Sequence, residues 1–370
     1  MIRKSVPKNL ILYAICACIF LPAVFGQAKP AAQIGITKCW AYPLTDETGS
    51  GLAADAANVY TNGAGAKVEA LSLEGKKLWA TEFGGEVNSN LLPTENGLMF
   101  VTSTASGDLD KGASTNLLRL VSSETGITIW ASKLLGAESH FLAKYRDALV
   151  IVSQNGAIQS VDAKTGTTRW RREVAAGFAG QPFFSGDRLV AVSATNQVFV
   201  VSLASGEIAS IRKLPFSVTA VSQMANGDLI AGDERGIVAE YIGVSDQTNW
   251  KFRSGGKVSA IFTIGDHLLV TSHDNFAYSL RTRNGSVVWR KRLSGRVSRI
   301  ATFMDQYALI SGFEDHSVVV INLLNGKTAT QIPFGANERL NTDPIVSNRR
   351  VFILTNESIY LFSLGTCPGK

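Results

Sequence analysis

Three neighbouring segments of the chain each place charged side chains in a short turn between two apolar runs. These seven residues are Asp233, Glu234, His273, Asp274, Glu314, Asp315 and His316. Two imidazoles among five carboxylates could bind a divalent metal or transfer protons near neutral pH. Ordinary solvated turn residues are the alternative, and the sequence favours it. No metal is expected, and His273, Asp274, Asp315 and His316 stand as the candidate ligands if one is bound.

A second group of charged residues is strongly basic. It consists of Arg281, Arg283, Arg290, Lys291, Arg292, Arg296 and Arg299. Alternation along a β-strand sends Arg290 and Arg292 to one side. With Arg296 and Arg299 they form a candidate basic patch that would attract an acidic partner or anionic lipid head groups. A solvated sheet edge without a dedicated role is the alternative interpretation.

Other sequence features exclude several kinds of chemistry. The chain shows no Gly-rich phosphate loop, His-Glu helix motif or nucleophile elbow, so no catalytic or cofactor-binding residue is assigned. Its formal net charge is +6, and half of that charge comes from Arg3, Lys4 and Lys8. No run of five like charges remains beyond them, so nucleic acid is not expected as a partner.

The first 28 residues read as a secretory signal peptide. The three basic residues precede an apolar run that is interrupted by Pro22 and followed by small residues. An uncleaved signal anchor is one alternative, and a lipoprotein acylated at Cys16 or Cys18 is another. Residues 29–370 are then a single exported domain with no transmembrane segment, either periplasmic, with or without association with the outer membrane, or secreted.

Tryptophan residues recur at an interval of about forty positions and indicate an internal repeat. They are Trp40, Trp79, Trp130, Trp170, Trp250 and Trp289. Ser210 and Thr330 occupy the same position in two further units, which makes eight. A glycine lies four residues before this tryptophan slot in six units, and Asp246 replaces it in one. The interval of 51 residues before Trp130 reflects an insertion at 104–116, a long turn that either binds a partner or is flexible decoration.

Each unit divides into four short β-strands. In one unit these are KVSAIFTIG, DHLLVTSHD, NFAYSLRTR and SVVWRKRL, bounded by turn-forming pairs such as NG and GD. Eight units of four antiparallel strands predict an all-β, eight-bladed β-propeller. The tryptophan rings are expected to pack between neighbouring blades, in a structural role, with the indole N–H on a backbone acceptor.

The two chain ends predict how the ring closes. The N-terminal segment supplies only a fourth strand and the C-terminal segment only the earlier strands, so together they complete one blade. Cys39 and Cys367 would then lie on paired strands, and they are predicted to form a disulfide that locks the ring.

The motif VDAKTGTTRW, at residues 161–170, resembles the tryptophan-docking repeat of the pyrroloquinoline-quinone (PQQ)-type propellers. This resemblance spans about Trp40 to Cys367. The quinone dehydrogenases of the fold carry adjacent cysteines and a calcium ion held by Glu, Asn and Asp, and this sequence shows neither adjacent mature cysteines nor an obvious carboxylate cluster. In length, leader and unit count, the chain is more similar to the non-catalytic propellers that assist assembly of outer-membrane β-barrels.

The resemblance therefore implies a non-catalytic, monomeric protein-binding scaffold of the cell envelope. Its expected partners are envelope proteins, including the barrel-assembly machinery, and its expected binding surface is the loop-rich face. No cofactor is expected. An oxidoreductase that uses PQQ with calcium, or another metal, in the central channel is the first alternative. A secreted polymer-binding module is the second, although no aromatic platform stands out.

Overall fold

A computed structural model describes residues 34–45, 51–104, 115–134, 139–174, 177–179, 181–224, 226–242, 247–312 and 315–369. The signal-peptide prediction for residues 1–28, the interior of the 104–116 insertion, Asp246 and Glu314 lie outside these ranges. In the described part no helix is long and apolar enough to cross a membrane.

The described residues form eight antiparallel sheets arranged as the blades of a ring, which confirms the predicted eight-bladed propeller. Within each blade the strands follow chain order from the central channel to the rim. The exception is the last blade, where the first strand of the chain is outermost.

Blades 1 to 4 occupy the N-terminal half of the chain. Blade 1 comprises Gly51–Ala54, Asn58–Asn62, Lys67–Ser72 and Lys77–Glu82, with a 3-10 turn at Ala64–Ala66. Blade 2 comprises Glu86–Val87 and Leu92–Thr94, which share the innermost position, then Gly97–Thr104, Thr115–Val121 and Thr128–Leu134. Blade 3 comprises His140–Tyr145, Ala148–Ser153, Ala157–Asp162 and Thr168–Glu173. Blade 4 comprises Phe183–Ser185, Arg188–Val192, Gln197–Ser202 and Ile208–Lys213.

Blades 5 to 8 follow in the same order. Blade 5 comprises Val218–Gln223, Leu229–Asp233, Ile237–Tyr241 and Thr248–Arg253. Blade 6 comprises Val258–Ile264, His267–Ser272, Phe276–Arg281 and Val287–Arg292. Blade 7 comprises Val297–Phe303, Tyr307–Gly312, Ser317–Asn322 and Thr328–Pro333. Blade 8 comprises Ile345–Ser347, Arg350–Leu354, Ser358–Ser363 and, from the other end of the chain, Thr37–Pro43.

Strand composition follows position in the blade. The second strand of blade 3, ALVIVS, is buried at every residue because neighbouring blades cover both of its faces. Outermost strands are largely exposed or half-buried, as in blade 6, where Trp289 is the one buried residue of Val287–Arg292. In all eight blades the outermost strand pair shifts register at or beside the tryptophan slot, a β-bulge that adds local twist.

The hydrophobic core is divided among the interfaces between blades. Eight clusters of buried side chains are present, and each joins two adjacent blades. The cluster around Trp250, for example, joins blades 5 and 6, and the cluster around Tyr60 and Phe100 joins blades 1 and 2. Burial of apolar area between blades therefore holds the ring together, at about 25 cal/mol per Å².

Ring closure occurs in blade 8, as the sequence predicted. Thr37–Pro43 pairs antiparallel with Ser358–Ser363, with Trp40 opposite Leu361. Cys39 and Cys367 form a disulfide with their Cα atoms 5.4 Å apart, which confirms the predicted link. Cys39 lies at the register shift of this strand pair, one residue before the tryptophan slot.

Candidate functional site

The antiparallel order gives the ring two distinct faces. One face carries the turns between second and third strands and all connections between blades, and we call it the connection face. His273–Asn275 and Ser254–Lys257 are examples of these two kinds of segment. The opposite face carries the first and third turns of each blade, and we call it the hairpin face. Because the loops of a rigid scaffold usually carry its binding residues, the connection face is the first candidate surface.

The acidic residues predicted as metal candidates lie on the connection face and are engaged in its turns. Asp233 is buried, and its Oδ1 accepts backbone N–H groups of Arg235 and Ile237, both at 2.8 Å. Asp274 accepts hydrogen bonds from Gly255 N–H and the Tyr278 hydroxyl, both at 2.6 Å. These bonds close each turn and, for Asp274, tie it to the connection that enters the same blade.

The last charged turn is held in a similar way. Asp315 Oδ2 accepts the Ser294 hydroxyl at 2.6 Å and Gly312 N–H at 2.9 Å. His316 Nδ1 lies 3.0 Å from the backbone oxygen of Glu338. Among the described residues, no three His, Cys, Asp or Glu side chains are grouped closely enough to hold a metal ion.

His273 lies in a cationic environment on the same face. Burial lowers the pKa of His273, and the positive charges of Arg296 and Lys257 lower it further. A positive environment opposes the binding of a metal cation as well as a proton. The geometry therefore favours a structural role for these residues, in turns and on a charged surface, over a role as metal ligands.

The structure separates the four arginines of the candidate basic patch. Arg290 and Arg292 are exposed on the outermost strand of blade 6, and Arg296 is exposed in the connection that follows. Arg299 lies instead on the innermost strand of blade 7, where one Nη donates to Asn341 O at 2.7 Å. Arg299 belongs to a different strand from Arg290 and Arg292, so alternation along one strand could not predict its position.

The tryptophan slot forms a contact between each blade and the next one. Four indole N–H groups donate to a backbone oxygen of the following blade, from Trp40 to Leu73, Trp79 to Ser123, Trp250 to Thr282 and Trp289 to Leu323, at 2.6–2.8 Å. All six tryptophan rings also cover the turn glycine of the following blade. The pairs are Trp40–Gly75, Trp79–Gly126, Trp130–Gly166, Trp170–Gly206, Trp250–Gly285 and Trp289–Gly326.

These pairs explain the two units that lack tryptophan. Ser210 of blade 4 precedes the unit in which Asp246 replaces the turn glycine. Thr330 of blade 7 precedes blade 8, where the chain ends replace that turn altogether. Tryptophan is thus absent where the next blade has no glycine at the turn position. This correlation is visible only when the slot of one unit is compared with the turn of the following unit.

A cavity of about 610 Å³ lies in the central channel, against the innermost strands of blades 4 to 7. Its wall is mostly aliphatic and hydroxyl side chains. Thr219 donates to Val258 O at 2.7 Å, and the Ser222 and Thr263 hydroxyls lie 2.7 Å apart, which ties blade 5 to blade 6. Asp343 is the one carboxylate in this wall. Desolvation by the channel wall raises the pKa of Asp343, although its side chain reaches solvent and its Oδ1 accepts Ile300 N–H at 3.0 Å.

The wall of this cavity does not match the donor set of a quinone enzyme. The family resemblance implies Glu, Asn and Asp around calcium, with adjacent cysteines beside the quinone. A single carboxylate lines the cavity, and no cysteine does. Cys39 and Cys367 are joined to each other on blade 8, away from this wall.

A second cavity, of about 280 Å³, adjoins the first and is lined mainly by blade 3 and by the connection from blade 3 to blade 4. His140, at 5% exposure, contributes to its wall, with Nδ1 2.9 Å from the Ser153 hydroxyl. Burial lowers the pKa of His140 to about 4, so the imidazole is neutral at pH 7. The sequence did not single out this histidine, because the residues around it form an ordinary innermost strand with no recognisable motif.

The longest described connection, 334–344, runs from the rim of blade 7 to the innermost strand of blade 8. Within this segment Glu338 is buried, and it accepts hydrogen bonds from Gly335 N–H and the hydroxyls of Tyr360 and Thr355, at 2.7–2.9 Å. Burial alone would raise the pKa of Glu338, but these hydrogen bonds outweigh it and lower the pKa. The segment is therefore held in one conformation, and it exposes Asn337 and Arg339 on the connection face.

Comparison with known proteins gives a family and a fold. The family described as outer membrane protein assembly factor BamB matches residues 114–243 and 218–366. The crystal structure of BamB from Moraxella catarrhalis is similar, with a TM-score of 0.64, 16% identity, and 89% of this chain and 98% of that chain covered. The computationally designed protein Ika8 is similar with a TM-score of 0.68, 14% identity, and 88% and 99% covered. No curated protein sequence gives a significant match. The chain belongs to the BamB family of PQQ-like β-propellers.

Proposed function

We propose that this chain is an exported, non-catalytic scaffold of the cell envelope that binds proteins and assists outer-membrane protein assembly. The observation that carries the proposal is the family match, which extends from residue 114 to residue 366 and covers most of the ring. Family membership alone does not settle catalysis, because the PQQ-like propellers include dehydrogenases.

Two features of the described structure support a scaffold role. The wall of the 610 Å³ cavity offers a single carboxylate, Asp343, where a quinone–calcium site would need several oxygen donors. The connection face instead presents ordered backbone, and the 334–344 segment is fixed by the buried carboxylate of Glu338. An ordered loop loses little conformational entropy when a partner binds, so such a surface suits protein recognition.

The experiment is an affinity capture of the exported, disulfide-bonded protein from envelope extracts, with retained proteins identified by mass spectrometry. Recovery of the barrel-assembly machinery is the expected result. If that machinery is not retained, while added PQQ and calcium bind and support dye reduction, the scaffold proposal fails and the oxidoreductase takes its place.

A pair of matched variants locates the binding face. Asn337→Ala with Arg339→Ala removes two exposed side chains from the connection face, and should reduce recovery of the machinery. Arg283→Ala with Gln306→Ala removes the same two chemical types from exposed turns of the hairpin face, and should leave recovery unchanged. A loss confined to the second variant would place the interface on the opposite face.

A further inference from the structure

Charge on the rim of the ring is concentrated on half of the blades. The comparison uses the three positions that follow the tryptophan slot on each outermost strand. In blades 3 to 6 these twelve positions hold nine Lys or Arg and one Glu: Arg171–Glu173, Ile211–Lys213, Lys251–Arg253 and Arg290–Arg292. In the other four blades they hold one Lys and one Glu: Gln331–Pro333, Ala41–Pro43, Ala80–Glu82 and Ala131–Lys133. With nine cations and one Glu, the twelve positions in blades 3 to 6 sum to +8, more than the formal net charge of +6 of the whole chain.

Most of these cations face solvent without an acidic partner. Six of them are exposed and constitute what we call the basic arc: Arg172, Lys213, Lys251, Arg253, Arg290 and Arg292. None of the six pairs with a carboxylate among the described residues, whereas Arg169 and Arg171 on the outermost strand of blade 3 do, at 2.6–2.7 Å. Arg290 also lies over the Phe276 ring, 5.9 Å from its centre. The arc therefore offers cationic charge that is not engaged in ion pairs within the described structure.

Protection of sheet edges does not account for this arrangement. Basic residues on edge strands hinder pairing with another sheet, and so do prolines. The neutral half of the rim protects two of its edges with Pro43 and Pro333 and carries no excess charge. Repulsion among the cations of the basic half is a cost that edge protection does not require.

Curvature of the rim decides which kind of anionic partner fits. Blades of an eight-membered ring stand about 45° apart, and four strands spaced about 4.8 Å put the rim roughly 20 Å from the axis. A flat bilayer that touches blades 4 and 5 would leave the rims of blades 3 and 6 about 11 Å farther away, beyond the Debye length of about 8 Å. An extended polypeptide can follow the arc, which corresponds to about 14 residues at 3.4 Å each.

We propose that the basic arc binds an extended acidic segment of a partner protein. Guanidinium groups pair with carboxylates in two-bonded geometry, and three of the four blades present an exposed arginine. Ile211, 52% exposed in the middle of the arc, gives one aliphatic contact for an apolar residue of that segment. The basic arc and its acidic partner segment go beyond the proposed role in outer-membrane protein assembly. They depend on charge placement rather than on family membership.

The test measures binding of a fluorescent peptide of about 14 glutamate and aspartate residues, a length matched to the arc, to the full exported protein. Fluorescence anisotropy is recorded at low and at physiological salt. The variant Lys251→Gln, Arg253→Gln, Arg290→Gln, Arg292→Gln should weaken peptide binding at least tenfold. Because all four side chains are exposed, the fold should be retained, which circular dichroism verifies.

A matched control removes four exposed cations from the other half of the ring. Lys76→Gln, Lys77→Gln, Lys133→Gln, Lys327→Gln changes the net charge equally and should leave the affinity within about twofold. Equal weakening of peptide binding by both variants would show that net charge alone, and not the basic arc, determines the affinity, and would overturn the proposal. Absence of peptide binding by the unaltered protein would also overturn it, as would binding to phosphatidylglycerol vesicles alone. None of these results bears on recovery of the barrel-assembly machinery, so the two proposals fail separately.

Discussion

Substitution of a single turn glycine should show how strongly a tryptophan fastens two blades. Gly285 of blade 6 has a φ of +66°, and a β-carbon built on it would lie 2.3 Å from Trp250 Cε3. Gly265, in another hairpin of the same blade, has a φ of +58° and no heavy atom within 4 Å of that position. Gly265→Ala therefore reports backbone strain alone, and Gly285→Ala reports strain together with loss of the ring contact.

The expected magnitudes differ enough to be measured. Left-handed backbone costs a non-glycine residue about 1–2 kcal/mol, and this term applies to both alanines. Overlap with a packed ring adds about 1–3 kcal/mol, and this second term applies only at Gly285. Gly285→Ala should thus lower the free energy of unfolding by about 2–5 kcal/mol, and Gly265→Ala by about 1–2 kcal/mol.

A double-mutant cycle isolates the contact. Trp250→Ala alone should cost about 3–5 kcal/mol, since it removes a buried ring and the hydrogen bond to Thr282 O. With the ring absent, Gly285→Ala should cost no more than the backbone term, which leaves a coupling energy of about 1–3 kcal/mol. Gly265→Ala should show no coupling with Trp250→Ala.

Equilibrium unfolding in guanidinium chloride, followed by far-ultraviolet circular dichroism with the disulfide intact, provides these energies. Circular dichroism is preferable to tryptophan emission because one variant removes a tryptophan. Equal costs at Gly285 and Gly265, or no coupling with Trp250, would refute the reasoning, since the contact would then add nothing to backbone strain.

Four further predictions follow from the site geometry. Replacement of both Cys39 and Cys367 by serine should lower the free energy of unfolding by about 4–5 kcal/mol, as measured in denaturant. His140 keeps a pKa of about 4 in the folded protein against about 6.5 unfolded. Protons therefore favour the unfolded chain, and about 3 kcal/mol of stability should be lost as the pH falls from 6.5 to 4. Asp343→Asn should raise the melting temperature at pH 7, because a raised carboxyl pKa means that the folded channel disfavours the charged form. Glu338→Gln should destabilise the 334–344 segment by about 1–3 kcal/mol, seen as faster hydrogen exchange at Gly335.

Each of these predictions has a control. Reductant should destabilise the unaltered protein but not the double serine variant, and an equal effect on both would contradict the disulfide estimate. His140→Gln should remove the acid-dependent loss, and persistence of that loss would assign it to other groups. Asp305→Asn, on an exposed hairpin-face turn, should leave the melting temperature unchanged. Tyr360→Phe removes the hydroxyl bound to Glu338, so it should affect exchange in the same segment.

The sequence predicted the fold well because the repeat carries its own physical signature. The slot spacing, the turn glycines and the incomplete terminal units were sufficient to predict eight blades, a shared last blade and the link between Cys39 and Cys367. Those features depend on local strand chemistry and on counting. The signal peptide and the role of the 104–116 insertion stay predictions, since residues 1–28 and the interior of the insertion lie outside the described residues.

Features that depend on contacts between blades could not be predicted from the sequence in the same way. Arg299 follows the basic segment closely in the chain, yet a change of strand carries it from the rim to the channel. His140 and Glu338 lack neighbouring motifs, and their burial arises from segments distant in sequence. Pairing of each tryptophan with the next unit's glycine was present in the sequence but required a comparison across units. The one-sided rim charge likewise emerges only when outermost strands are aligned around the ring.

The two blades without tryptophan divide the ring into unequal cooperative units. Contacts of the Trp–Gly type run without interruption from blade 8 through blades 1, 2 and 3 to blade 4, and again from blade 5 to blade 7. Partial unfolding should therefore begin at the two seams, between blades 4 and 5 and between blades 7 and 8. The larger unit depends on Ser358–Ser363, because this strand pairs with the first strand of the chain. Blades 1 to 4, and then blades 5 to 7, can acquire their mutual contacts while the chain is still emerging, whereas the contact between blades 8 and 1 must wait for the last strand to arrive.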